Sequence, residues 1–272
     1  MSDILEPTDV QEDQVKGKKR LLIVSDFHCG HEVGLTPPDW NVMVGHNDPM
    51  HEYREILYNS FSRMVNLYRP FDVCVANGDL IDGRGEKSGS TELIVVDRLK
   101  QAKMATDILK FINADKLYIT RGTDYHVGNT ESFEDIVAAD AGALRIGDIV
   151  NLNINGTIFN FRHHIGSSQT PIGRATPLAR EIVWNELWNL RKGFVLANVQ
   201  VRSHVHYHTY VGQPNHVALT TPALQGYGTR YGERRMSGII DFGITVFDID
   251  EYGRYTWGSE IVNFPTVAPE IV

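Results

Sequence analysis

Five apolar runs in this 272-residue chain end on short motifs of Asp, His and Gly. Leu21-Leu22-Ile23-Val24 leads into Asp26-Phe27-His28, and Val73-Cys74-Val75-Ala76 into Gly78-Asp79. Leu117-Tyr118-Ile119 precedes Gly122-Thr123-Asp124-Tyr125-His126, and Ile158-Phe159-Asn160-Phe161 precedes His163-His164. The last run, Val199-Gln200-Val201-Arg202, precedes His204-Val205-His206. Strand-like runs that each stop on a metal-binding residue type restrict the fold sharply. In an open α/β sheet the carboxyl ends of the strands border one crevice, where residues distant in sequence meet. Asp and His also hold Mn, Fe, Zn or Ni at neutral pH. Two divalent ions about 3.5–4 Å apart need a bridging carboxylate and several imidazoles or carboxylates. The spacing of Asp26-x-His28 and His204-x-His206 fits extended backbone, which projects i and i+2 side chains to one side.

The segments between the runs supply a scaffold. Residues 51–68 carry Tyr53, Ile56, Leu57, Phe61, Met64, Val65 and Tyr68 at helical spacing, and Pro70 closes that helix. Residues 91–112 repeat the pattern through Leu93, Val96, Leu99, Met104, Ile108 and Ile112. Strands at 21–25, 72–76 and 116–120, alternating with these helices, predict an α/β core with central parallel strands. Further on, Asn155-Gly156 between runs 149–154 and 157–161 is a hairpin signal. Residues 177–190 read as one amphipathic helix through Leu178, Ile182, Val183, Trp184, Leu187 and Leu190. Strand-like runs at 194–202, 216–220, 239–248 and 255–262 predict a second, mostly antiparallel sheet packed against the first. Residues 1–18 lack periodicity and predict a loose tail ahead of a single domain over 19–272.

Composition bears on partners and compartment. Apolar residues at 42% and charged residues at 22% suit a soluble globular chain. A net charge of −8 argues against a strongly basic nucleic-acid surface, although a local basic patch survives such a sum. No stretch approaches the roughly 20 apolar residues of a membrane span, so no membrane partner is expected. The first 20 residues also lack the apolar centre of a signal peptide. The two cysteines, Cys29 and Cys74, make no disulfide framework. Cys74 reads as a buried thiol. Cys29, one residue past His28, turns away from the ligand side. A reducing, cytoplasmic setting is expected.

The order Asp-x-His, Gly-Asp, a Gly-containing loop ending in His, a strand-terminal His and His-x-His resembles the calcineurin-like metallophosphoesterase superfamily, over about residues 21–247. Ser25-Asp26-Phe27-His28-Cys29-Gly30-His31, followed by Gly34-Leu35-Thr36-Pro37-Pro38, is similar to members encoded by bacteriophages and prophages. The resemblance implies a four-layer α/β/β/α sandwich, the metallo-dependent phosphatase fold, with two mixed sheets flanked by helices. It implies two divalent ions, Mn²⁺ first, with Fe, Zn, Ni or Mg as alternatives. By the same resemblance Asp26, His28 and His206 bind the first metal, Asp79 bridges, and His204 binds the second. His163 or His164 joins the second metal, with His164, nearer Gly166, closer to the family's His-Gly. Adjacent strand residues face opposite sides, so one of that pair binds and the other orients a ligand. Ser203 stands where the family usually has Gly.

The third motif departs from the family pattern, which is Gly-Asn-His followed by an acidic residue. There the Asn oxygen binds the second metal and the His assists the leaving group. Here Thr123 takes the Asn position and His126 comes two positions late. Either a longer loop returns His126 to the leaving-group side as general acid, or His126 or Asp124 replaces the missing ligand. The implied activity is phosphomonoester or phosphodiester hydrolysis, with a metal-activated hydroxide attacking phosphorus in line. His126 would then protonate the leaving alkoxide. Arg121, Arg162 and Arg174 are candidate phosphate clamps, because guanidinium binds phosphate bidentately. Asp82 is a candidate supporting carboxylate. Residues 30–50 form an expected substrate-facing loop. Trp40, Tyr125, Tyr227 and Tyr231 either stack the bases of a nucleotide or nucleic-acid substrate or pack the core. The rival to hydrolysis is a non-catalytic scaffold of the same fold that binds protein partners.

Overall fold

Leu21, Leu22, Ile23 and Val24 are all fully buried, because their strand runs through the middle of the molecule. An apolar run without alternation is what burial on both faces requires. In chain order the strands are β1 (Lys19–Val24), β2 (Val73–Asn77), β3 (Lys116–Thr120), β4 (Arg145–Gly147), β5 (Val150–Ile154), β6 (Thr157–Phe161), β7 (Val199–Arg202), β8 (Thr209–Gln213), β9 (His216–Thr220), β10 (Phe242–Ile249) and β11 (Tyr255–Val262). The helices are α1 (Pro38–Val44), α2 (His51–Tyr68), α3 (Arg98–Ile112), α4 (Asp124–Val127), α5 (Phe133–Ala141) and α6 (Thr176–Leu190). The computed structural model describes residues 17–86, 89–127, 132–168, 170–191, 193, 195–229 and 240–264. Most of the expected tail, Phe194, Tyr231 and the start of the run at 239 lie outside the described residues.

The first sheet has the order β11-β10-β1-β2-β3-β4 and the second β5-β6-β7-β9-β8. Three layers of side chains join them. Leu22, Val24, Cys74 and Ala76 face α2, α3 and α5 through Leu57, Phe61, Met104, Ile108 and Val137. Ile23, Val75 and Phe247 face the second sheet through Phe159, Phe161 and Val201. The outer face of that sheet meets α6 through Ala218, Leu178 and Ile182. The result is the expected α/β/β/α layering of two mixed sheets flanked by helices.

Several expectations need correction. The second sheet is not mostly antiparallel: β6–β7 and β7–β9 run parallel, while β5–β6 and β8–β9 run antiparallel. β10 and β11 belong to the first sheet instead, where β10 pairs antiparallel with the open edge of β1. Helix α3 starts at Arg98 rather than 91, because the Asp97 side chain accepts from the Leu99 and Lys100 amides and caps it there. Helix α6 buries Pro177, Leu178, Ile182 and Asn185 and leaves Val183, Trp184, Leu187 and Leu190 exposed. Of the two roles open to Trp40 the structure shows the second: it packs on the core and donates its indole N–H to Asp107 at 3.0 Å. No helix among the described residues is long and apolar enough to cross a membrane.

Candidate metal centre

Asp26, His28, Asp79, His204 and His206 all adopt positive φ, between 45° and 73°. They account for five of the eight non-glycine residues in that region among the described residues. A left-handed backbone costs an ordinary L-residue about 1–2 kcal/mol. Such conformations persist where surrounding structure fixes them, and they gather at functional sites. This corrects the expectation of extended backbone. The motifs lie just past the ends of β1, β2 and β7, and left-handed turns rather than strand alternation bring their side chains together.

Main-chain hydrogen bonds lock these turns to one another. The Asp26 amide donates to the Gly78 carbonyl at 2.9 Å, His28 to Asp79 at 3.1 Å, and Ser203 to His163 at 2.8 Å. Asn77 ties the sheets together below the centre. It donates to the Ser203 hydroxyl at 2.6 Å and accepts from Thr120 at 2.7 Å. Ser203 therefore carries a hydroxyl that this network uses. Gly122 has no room for a side chain, since a Cβ there would overlap Asp79.

Three groups of nitrogen and oxygen donors result, Asp26–His28–His206, Asp79–His163–His204 and, sharing His28 with the first, His28–Asp82–His126, each with its atoms within 4.8 Å of one another. In the first, His206 Nε2 lies 3.2 Å from Asp26 Oδ1 and 3.3 Å from His28 Nε2. In the second, His163 Nε2 and His204 Nδ1 lie 3.0 and 3.8 Å from Asp79 Oδ2. These two groups touch where His163 Nε2 stands 4.0 Å from Asp26 Oδ1. These last two atoms are buried and neither has an aligned hydrogen-bond partner. Buried polar atoms are normally satisfied. A cation between them would satisfy both.

The imidazoles are oriented for such a role. His163 Nδ1 is 2.7 Å from the Asn77 carbonyl, an acceptor only, so Nδ1 carries a proton and Nε2 is the atom turned inward. His28 Nδ1 bonds Asp82 Oδ1 at 3.0 Å in the same manner. Burial alone would raise the Asp26 carboxyl, but the His206 charge outweighs it and holds it at about 2. Burial pushes His28 well below the ordinary histidine value. The donor set of buried carboxylates and imidazoles fits divalent transition ions.

The ambiguous positions separate clearly. His163 belongs to the centre. His164 is exposed, and its ring lies 4.9 Å from that of His204 on the rim. Thr123 donates its amide to Asp79 Oδ1 at 2.7 Å, with its hydroxyl 3.2 Å from the same atom. His126 packs edge-on against His28 at 4.5 Å and bonds the Asp82 carbonyl at 2.8 Å, beside the first group rather than the second. Asp124 is exposed on the first turn of α4 and belongs to none of the three groups, so the structure does not bring it to the missing-ligand position. Arg121 is no clamp at the centre, since its guanidinium is held by Asp135 at 2.7 Å and Asp148 at 3.4 Å. Arg174 instead lies over the Tyr207 ring at 4.5 Å. Arg162 faces the outer side of the second sheet.

Sequence reading missed Glu134. Its buried carboxylate accepts from the Leu80 amide at 2.9 Å and the Gly122 amide at 2.7 Å, joining the loops that carry Asp79 and Thr123. Burial lifts this carboxyl to about 7. Nothing in its local sequence marks it, because only the docking of α5 buries it.

No protein-family model matches the sequence, and no curated protein matches it. Among solved structures, the chain is similar to an archaeal phosphodiesterase, at 12% identity and a TM-score of 0.46, over 89% of this chain and 99% of that one. A predicted phosphoesterase from Streptococcus pneumoniae gives 11% and 0.38, over 90% and 99%. A zinc-complexed Vps29 from Entamoeba histolytica gives 12% and 0.43, over 90% and 99%. At identities and TM-scores this low, the class of the protein rests on the geometry of its own centre.

Proposed function

We propose that the protein is a dinuclear metal-dependent phosphohydrolase of the calcineurin-like metallophosphoesterase type, with phosphodiesters or phosphomonoesters as substrates. The supporting observation is the facing pair Asp26 Oδ1 and His163 Nε2, buried, without an aligned hydrogen bond and 4.0 Å apart at the junction of two His/Asp groups. Asp26, His28 and His206 would hold one ion, and His163 and His204 the other, with Asp79 between them. Mn²⁺ suits this mixture of carboxylate and imidazole. Bound divalent ions would supply Lewis acidity toward a phosphate ester and make water nucleophilic at neutral pH.

The chain's own residues do the rest. Asp82 and the Asn77 carbonyl fix the tautomers of His28 and His163, and the Thr123 amide and hydroxyl hold the Asp79 carboxylate. His126 keeps its Nδ1 proton on the Asp82 carbonyl, so Nε2 is the atom that takes up and releases a proton to a leaving group. The phage-like motif around Asp26 and His28 favours a nucleotide or nucleic-acid substrate, and the two buried thiols suit a reducing, cytoplasmic setting.

The test is metal analysis of the purified protein, followed by hydrolysis of bis-p-nitrophenyl phosphate and p-nitrophenyl phosphate with Mn²⁺. Turnover of either, lost with Asp79→Asn, supports the proposal. Full metal loading without turnover of either would replace it with the non-catalytic scaffold, and failure to bind metal at all would sink both.

A further inference from the structure

Strand alternation sends Phe159, Phe161, Val199 and Val201 into the core between the sheets, so Asn160, Arg162, Gln200 and Arg202 face outward. There, beside α6, they floor a cavity of about 370 Å³. That volume lies within the range of small-molecule sites, roughly 300–1,000 Å³. Trp184 and Trp188 form one wall, each about half exposed, with ring centroids 6.1 Å apart and planes 30° apart.

The charges in the cavity are not balanced in the same way. Arg202 is bound to Glu181 at 2.6 and 3.2 Å. Arg162 pairs with no carboxylate among the described residues. It is also the residue before His163, so one step along the chain passes from cavity to metal centre. The exposed His164 follows, its ring 4.9 Å from the His204 ring, and His204 Nδ1 lies 3.8 Å from Asp79 Oδ2.

We propose that this cavity binds an unpaired nucleobase of a phosphate-bearing ligand, with the base on Trp184 and Trp188 and a phosphate on Arg162. Indole faces stack on any base, and guanidinium is the natural partner of phosphate. Asn160 and Gln200 line the same floor, with the Asn160 amide N–H donated to Asn151 at 2.7 Å and Gln200 Oε1 3.0 Å from His216 Nε2, so recognition rests on the indoles and Arg162. An apolar protein partner fits less well, because it would desolvate the Arg162 charge without compensating it. As a subsite of a reaction, the cavity rests on the phosphohydrolase reading of the neighbouring centre; as a binding site, it is testable without it.

Calorimetric titration of the metal-free, full-length protein is the test, with AMP and a short single-stranded oligodeoxynucleotide as ligands and ribose 5-phosphate as the base-free control. Binding of AMP or the oligonucleotide well above the control is expected, accompanied by tryptophan quenching, and the tighter ligand identifies the source of the base. Trp184→Ala/Trp188→Ala and Arg162→Ala should each weaken binding about tenfold or more, with unchanged melting temperatures. Equal binding of ribose 5-phosphate, or affinities indifferent to the tryptophans, would overturn the proposal. So would a dimer in sedimentation that Trp184→Ala/Trp188→Ala dissociates, which would make this face a contact between two copies. None of these readouts needs metal or turnover, so their failure is separable from failure of the phosphohydrolase assay.

Discussion

His163 holds its Nε2 3.0 Å from Asp79 Oδ2 while its Nδ1–H is committed to the Asn77 carbonyl 2.7 Å away. Two electron pairs that face each other in a buried site need a positive charge between them. A proton is one solution. Burial opposes the imidazolium, yet the Asp79 carboxylate wins and lifts His163 to about 10. A divalent ion is the other, and its binding must displace that proton.

Metal binding should therefore stabilise the fold and depend on this pair. Mn²⁺ at about 100 times its dissociation constant is expected to add roughly 2.7 kcal/mol, visible as a rise in Tm. His163→Ala should reduce the metal bound per chain from about two ions to about one. Unchanged stoichiometry in elemental analysis would remove His163 from the ligand set.

His126→Ala should separate chemistry from metal binding. If His126 handles the leaving-group proton, kcat falls by about 10²–10⁴-fold while metal content holds. A lost metal equivalent would place His126 among the ligands instead.

Gly122 should tolerate no side chain. Alanine would press on Asp79 and its amide, and overpacking of this kind costs about 1–3 kcal/mol. Gly122→Ala should lower both Tm and metal affinity. A variant with wild-type melting and metal content would show that the two loops can part freely.

Glu134 should tie stability to pH. A free glutamate titrates near about 4.3, whereas burial lifts Glu134 to about 7. Because the folded value is the higher one, its stabilising contribution is complete below about 4.3 and is lost as pH rises through about 7. Glu134→Gln cannot ionise. Denaturant titrations of the metal-free protein should show wild type losing stability relative to this variant between pH 5 and 8, on the order of 2 kcal/mol. Parallel curves would refute the assignment.

Much of this was legible before folding. The unbroken apolar runs at 21–24 and 73–76 announce strands buried on both faces, because no polar side chain interrupts them. Asn155-Gly156 announces its hairpin because Asn and Gly readily adopt the positive φ both residues show. Helix α6 was harder, since apolar spacing does not reveal that Trp184 and Trp188 stay outside.

By itself the sequence determined which residue types stand at the strand ends, and so the chemistry of the centre: carboxylates and imidazoles at Asp26, His28, Asp79, His163, His204 and His206. Only the tertiary structure decided which of them meet. It turned His163 inward and His164 outward, set His126 beside His28, and buried Glu134 beneath two loops. The physical reason is that these outcomes depend on left-handed turns and on amides donated across loops that are distant in sequence. Local propensity does not encode such pairings, and they form only when β1, β2, β3 and β7 bring their ends together.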